Sequence, residues 1–241
     1  MSYSFQSMVR YSEIGADGHL TLPGLLDYFQ DCCTFQSAGA GHDIDEIENR
    51  HRAWVLNAWQ VVIDALPRIG EAVVIRTLPY ELKGFWGLRN FILENTKGQR
   101  LAWANSIWAN INTLTGRPER LTDADTSGYV LDERIEMDYA PRKILLPDSW
   151  EALEPFPIQR HLLDTHHHVN NCQYVRMAGD YLEEGTPIQQ LRVDYKKQAF
   201  LGDIFYPFIS RQEDRIYVIF NGSEDISKPD PYTSVEFLIG K

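Results

Sequence analysis

Asp164-Thr165-His166-His167-His168-Val169-Asn170-Asn171 sets three of the chain's seven histidines in a row, with a carboxylate just upstream and a helix-start signal immediately after. In an extended backbone, side chains of like parity share a face, so Asp164, His166 and His168 are expected to point together and His167 away. One acid and two imidazoles in a small volume make an acid/base constellation. The stretch has a fainter counterpart near the start of the chain. Asp17-Gly18-His19-Leu20-Thr21 precedes one long apolar-periodic segment as His166-His167-His168-Val169-Asn170 precedes another, and His19 matches His168. Further on, Ile69-Gly70-Glu71 matches Leu201-Gly202-Asp203. The offsets are 168 − 19 = 149 and 202 − 70 = 132, so the first half has the longer connection.

Working outward, each loop is followed by a helix and then by strands. Thr21 is a good N-cap, Pro23 is tolerated in a first turn, and Leu22, Leu25, Leu26, Phe29 and Cys33 recur at helical spacing until Gly39-Ala40-Gly41. In the second half a helix is expected from Asn171 to Glu184, with Tyr174, Met177, Ala178, Tyr181 and Leu182 on its apolar face. Strands are expected at 3–14, 53–63, 72–78, 85–94 and 100–113, then around 156–163 and at 189–195, 204–210, 215–221 and 234–239. Between them, residues 114–150 are rich in proline and charge and have little periodicity. They read as a linker between a first domain at 1–113 and a second at 151–241. The fold class is α+β: two tandem units, each a long helix wrapped by its own antiparallel sheet.

Composition narrows the function. Hydrophobic residues at 44% and charged ones at 24% suit a globular protein able to bury a core. A net charge of -11 argues against nucleic acid or an anionic membrane as the main partner. Three cysteines, including the adjacent Cys32-Cys33, do not make a disulfide framework and point to a reducing cytoplasm. No signal peptide is expected from Met1-Ser2-Tyr3-Ser4-Phe5, and no apolar run is long enough for membrane insertion.

The residues Asp164-x-His166-x-His168-Val169-Asn170-Asn171, followed by Tyr174, resemble the signature of the acyl-acyl-carrier-protein thioesterases, which are double-hotdog enzymes. The two-fold plan, the long connection and Val193-Asp194-Tyr195-Lys196-Lys197-Gln198-Ala199 extend the resemblance over nearly the whole chain. It implies hydrolysis of a fatty acyl-carrier-protein thioester, releasing free fatty acid, with no cofactor and with acyl carrier protein as partner. A homodimer is allowed for. By position, Asp164 and His168 match the family's Asp and His. His166 stands where the family has Asn, and Gln198 where plant-type members have Glu on the following strand. Gln198 can hydrogen-bond a water but cannot take its proton at neutral pH, so base duty moves towards His168 or His166. The expected catalytic set is therefore Asp164, His166, His168 and Gln198. The N-terminus of the helix after Asn170 is expected to polarise the thioester carbonyl.

By the same analogy the first half holds the acyl chain, with Leu25, Leu26, Phe29, Trp54 and Asn57 as lining, although core packing suits each of them equally. Carrier-protein docking on an acidic chain needs local basic residues, for which Arg176, Arg192, Lys196 and Lys197 are candidates, with Arg142 and Lys143 in the linker. Three alternatives stand beside this reading. They are an acyl-CoA thioesterase, a non-catalytic acyl-thioester binder on the same fold, and a metal site built on Asp164, His166 and His168. Cys172, at the first turn of the second helix, could serve a covalent mechanism, but cysteine is more often an inert small hydrophobe.

Overall fold

A computed structural model describes residues 3–240, with the backbone alone at positions 44, 47 and 48. The chain divides into two compact units, the first of residues 1–57 and 61–140, the second of 58–60 and 141–241.

In the first unit, β1 (Tyr3–Met8) and one 3-10 turn (Tyr11–Glu13) lead into α1 (Leu22–Gly39) and α2 (Ile44–Arg50). There follow β2 (Arg52–Ile63), β3 (Ala72–Lys83), β4 (Trp86–Asn95), β5 (Arg100–Asn112) and α3 (Asp123–Thr126). The strand order is β1-β3-β4-β5-β2. Thr21 caps α1 as expected, its hydroxyl oxygen accepting the Gly24 N–H at 3.2 Å. The helix buries Leu25, Leu26, Tyr28, Phe29, Cys32 and Cys33. On the sheet, Val73, Ile75 and Thr77 of β3 pair with Asn95, Leu93 and Phe91 of β4. Phe91 meets Phe29 at 5.1 Å between ring centroids, which joins sheet to helix. Burying one such ring stabilises by about 1.5–3 kcal/mol.

The second unit carries β6 (Glu151–Ala152), β7 (Phe156–Pro157), a 3-10 turn (Arg160–Leu162) and α4 (Asn171–Gly179). Then come β8 (Ile188–Tyr195), β9 (Ile204–Arg211), β10 (Arg215–Asn221) and β11 (Pro231–Ile239). Its order is β8-β11-β10-β9-β6, with β7 also on β9. Tyr174 of α4 lies 5.6 Å from Phe205 and 6.0 Å from Phe220, between helix and sheet. The helix stops at Gly179, short of the expected Glu184, and Tyr181 and Leu182 are only half-buried. The sequence offers Asp180 and then Glu183-Glu184-Gly185 here. Acidic residues at a helix C-terminus oppose the dipole and favour an early end.

The segment read as a linker is no free connection. Residues 114–140 group with the first unit and 141–150 with the second. Asp125 accepts from Arg50 at 2.7 Å and pairs with Arg52 at 3.1 Å, while the Tyr129 hydroxyl donates to Ser37 at 2.8 Å. Gly128 sits at φ +80, and a Cβ there would lie 2.6 Å from the Ala40 carbonyl oxygen, so this close approach requires glycine. In the second unit Arg142 reaches Asp194 at 3.4 Å and Ile144 is buried. Each unit is a helix wrapped in an antiparallel sheet, the tandem hotdog form of α+β. Among the described residues no helix is long and apolar enough to cross a membrane.

Candidate active site

The Asp/His stretch is a tight turn, not the extended run that its parity argument assumed. The Asp164 N–H donates to the His168 carbonyl at 2.8 Å and the His167 N–H to the Asp164 carbonyl at 3.1 Å. Leu163 and Val169 bridge across the base. The Asp164 side chain organises the turn by accepting from the backbone N–H of His166 at 2.9 Å and of His168 at 3.2 Å through Oδ1. This is an Asx turn, and it corrects the expectation of three side chains on one strand face. His167 takes φ 61, in the left-handed region, and His166 and His167 are exposed while His168 is half-buried.

The first unit repeats this turn bond for bond. Gly15 N–H donates to the His19 carbonyl at 2.9 Å, Gly18 N–H to the Gly15 carbonyl at 3.0 Å, and Ile14 bridges Leu20. Gly18 takes φ 77 where His167 takes φ 61. After each loop a capped helix begins, with Thr21 N–H on the Glu13 carbonyl and Asn170 N–H on the Leu162 carbonyl, both at 2.9 Å. Leu20 N–H donates to the Pro67 carbonyl as Val169 N–H does to that of Ala199. Both sequence offsets are thereby reproduced in main-chain hydrogen bonds. The acids differ: Asp17, in the place of His166, accepts the His19 N–H at 3.0 Å and faces the His19 ring at 3.3 Å.

His168 is the imidazole with a defined setting. Its ring meets the edge of Phe200 at 4.8 Å between centroids. Burial pulls its pKa below the ordinary histidine value, and the Asp164 carboxylate only partly opposes this. Gln198 is exposed and lies beyond the end of β8 rather than on the strand, one residue before the Ala199 carbonyl that holds Val169. At the start of α4, Asn170 accepts the Cys172 N–H at 2.9 Å on its side chain and the Gln173 N–H at 2.9 Å on its carbonyl. These donors are therefore occupied, and the helix can act on a thioester there chiefly through its dipole. Cys172 is 2% exposed, a setting of core packing. Among the described residues no three His, Cys, Asp or Glu side chains are gathered as a metal would need.

Of the basic residues expected to dock a partner, Arg176 is exposed on α4. Lys196 stands 3.9 Å from Asp194, and Lys197 pairs with Asp230. Arg192 is withdrawn: it pairs with Glu236 at 3.2 Å and donates to the carbonyls of Pro141 and Lys143, so it serves the fold. The lining residues need a similar correction. Leu25, Leu26 and Phe29 are wholly buried in the helix–sheet core, and Asn57 lies half-buried on β2. Trp54 does line a cleft of about 390 Å³ in the first unit, with Cys33, Ser37, Arg52, Trp108 and Asn110. Gly87 lets the Trp54 ring pack there, since a Cβ would meet it at 2.9 Å. Arg89, lining a small pocket of about 40 Å³ that shares Cys33, Ser37, Trp54 and Trp108 with the cleft, was not anticipated. Its sequence signal is a charge in the same strand parity as Phe91 and Leu93, the buried face of β4.

Two hotdog units, each with the same turn at the head of its helix, define a double-hotdog protein of duplicated build. Residues 1–129 match the family model of the acyl-ACP thioesterase N-terminal domain, and the chain belongs to that family. It is 26% identical over 218 residues to the chloroplastic palmitoyl-acyl carrier protein thioesterase of Gossypium hirsutum, covering 82% of this chain and 52% of that protein. A palmitoyl-acyl carrier protein thioesterase of Cuphea hookeriana is 26% identical over 200 residues, 76% of this chain and 46% of the other. The chain spans about half the length of the curated relatives it matches. Its fold is that of an acyl-ACP thioesterase from Bacteroides thetaiotaomicron, with TM-score 0.85 at 20% identity over 99% of this chain and 98% of that one. It is likewise that of the 12:0-ACP thioesterase from Umbellularia californica, with TM-score 0.84 at 16% identity over 99% and 97%.

Proposed function

We propose that this chain hydrolyses the thioester of a fatty acyl-acyl carrier protein, releasing the free fatty acid and ending chain elongation. Family membership over residues 1–129 carries the reading. The His168 loop supports it with a half-buried imidazole biased towards its neutral, proton-accepting form.

His168 takes a proton from water as the water's oxygen bonds to the thioester carbonyl carbon. When the carbon–sulfur bond breaks, the proton passes to the departing thiolate. Asp164 acts through the backbone, by fixing the His168 and His166 N–H groups and hence the angle at which the ring is presented. His166 and Gln198, both exposed, orient the water or the thioester. The α4 dipole favours the developing oxyanion. In the first unit, the cleft beside Trp54 holds the acyl chain.

The carrier protein docks on the basic side chains Arg176, Lys196 and Lys197, against a net charge of -11. The three buried cysteines, none in a disulfide, suit a reducing cytoplasm. The test is thiol release from acyl-carrier-protein and acyl-CoA series of increasing chain length, with wild type and His168→Ala. No release from any substrate by the wild type overturns the hydrolase reading. A preference for the CoA series overturns the choice of partner.

A further inference from the structure

Arg89 is 9% exposed, on the face of β4 that also buries Phe91 and Leu93. Its Nη1 donates to Gln36 Oε1 at 2.7 Å and to Thr77 Oγ1 at 3.0 Å, and its Cζ lies 5.7 Å from the centre of the Tyr129 ring. All three partners are neutral. Among the described residues no carboxylate pairs with Arg89. Three of the four acids lining the larger cleft are otherwise engaged. Asp125 is held by Arg50, Arg52 and Thr122, Asp43 caps α2 through the Glu46 N–H, and Glu46 stands 3.8 Å from Arg50.

A guanidinium taken out of water without an anion is costly, and it cannot shed its charge by losing a proton. Proteins keep such a group where something else completes it. Here the group lines a small pocket of about 40 Å³ with Cys33, Ser37, Trp54, Trp108 and Tyr129, a set mixing aromatic walls with two hydroxyls; four of these five residues also line the larger cleft. A plain hydrocarbon end placed there would cover the charge without satisfying it.

We propose that this cleft selects acyl chains whose distal end carries an acceptor oxygen, a terminal carboxylate above all and a hydroxyl next, with Arg89 as the residue that reads it. The inference rests on the reading that the first unit holds the acyl chain. A carboxylate would supply the missing counter-charge in a fork-to-fork pair, and a hydroxyl a single acceptor.

The experiment uses two chain-matched series, each ending in methyl, hydroxyl or carboxylate. One is of acyl-carrier-protein thioesters, scored by kcat/KM. The other is of amides that replace the thioester, scored by calorimetric Kd on the full chain. Wild type is expected to favour the carboxylate over the methyl end by at least about tenfold in both series, with the hydroxyl between. Arg89→Met is expected to reverse that order. Wild type binding methyl-ended chains as well or better overturns the proposal without any variant, as does a preference that survives Arg89→Met. If amides show the preference while no thioester is hydrolysed, the hydrolase reading falls and the cleft assignment stands. Hydrolysis with no end-group preference does the reverse.

Discussion

Replacing Asp164 separates two ways in which an acid can serve a histidine. Its Oδ1 accepts two backbone N–H groups, at 2.9 and 3.2 Å, and those bonds shape the loop. Each contributes about 0.5–1.5 kcal/mol net, so Asp164→Ala should cost about 1–3 kcal/mol. At about 2–4 °C per kcal/mol for a chain of this size, the midpoint of thermal unfolding should fall by roughly 2–12 °C. Asp164→Asn keeps an acceptor oxygen in the same place and should lose under about 1 kcal/mol. If the acid works by holding the turn, Asp164→Asn also keeps turnover within about tenfold of wild type, while Asp164→Ala loses much more. Circular dichroism melts and thiol release on the same preparations read both quantities. The reasoning would be refuted by an Asp164→Asn protein that melts like wild type yet loses turnover as fully as Asp164→Ala. That result would mean the negative charge acts on the ring itself.

Removing the proposed base by His168→Ala should lower kcat by about 10²–10⁴ and leave the melting curve nearly unchanged, since the side chain is half-exposed. Burial holds the His168 pKa below the unfolded value, so the folded protein binds fewer protons than the unfolded chain in that window. Its contribution to stability is then present above about pH 6.5 and lost as pH falls through the folded value. The acid limb of kcat/KM should fall in the same range, and Phe200→Ala, which strips the ring packed on His168, should move that limb and the imidazole NMR titration upward. An unmoved midpoint would disconnect Phe200 from the effect. Gly128→Ala should destabilise by about 1–3 kcal/mol, because φ +80 and the Ala40 carbonyl at 2.6 Å both oppose a Cβ. Calorimetric melting that matches wild type would mean residues 122–129 do not hold to α1 as described.

What sequence can convey depends on how local the cause is. The duplication was readable because a cap, a turn and an apolar helix face each lie within a few residues, and the pairs His19/His168 and Gly70/Gly202 occupy equivalent hydrogen-bonded positions. Thr21 and Leu25 to Cys33 gave α1 to within a residue at its start. The parity reading of Asp164, His166 and His168 failed because a short acidic side chain can capture the N–H groups two and four residues on, which folds the backbone away from a strand. The packing of residues 114–140 was hidden for a different reason. Its anchors join residues far apart in sequence, as with Tyr129 to Ser37 or the Tyr139 hydroxyl to Asn90 at 3.0 Å. Arg192 looked like free surface charge because nothing local announces Glu236 across the sheet. Arg89 was the legible residue passed over, a cation on the inward parity of an apolar strand.

The two matching turns also bear on how such a chain can change. Their frames rest on main-chain bonds and differ mainly in which residue supplies the acid, Asp17 in one and Asp164 in the other. The main-chain bonds are thus shared, while the carboxylate that holds each turn comes from a different position in the two copies. A chain built on two copies of one backbone frame can change residues in one turn while the main-chain bonds of the other stay as they are.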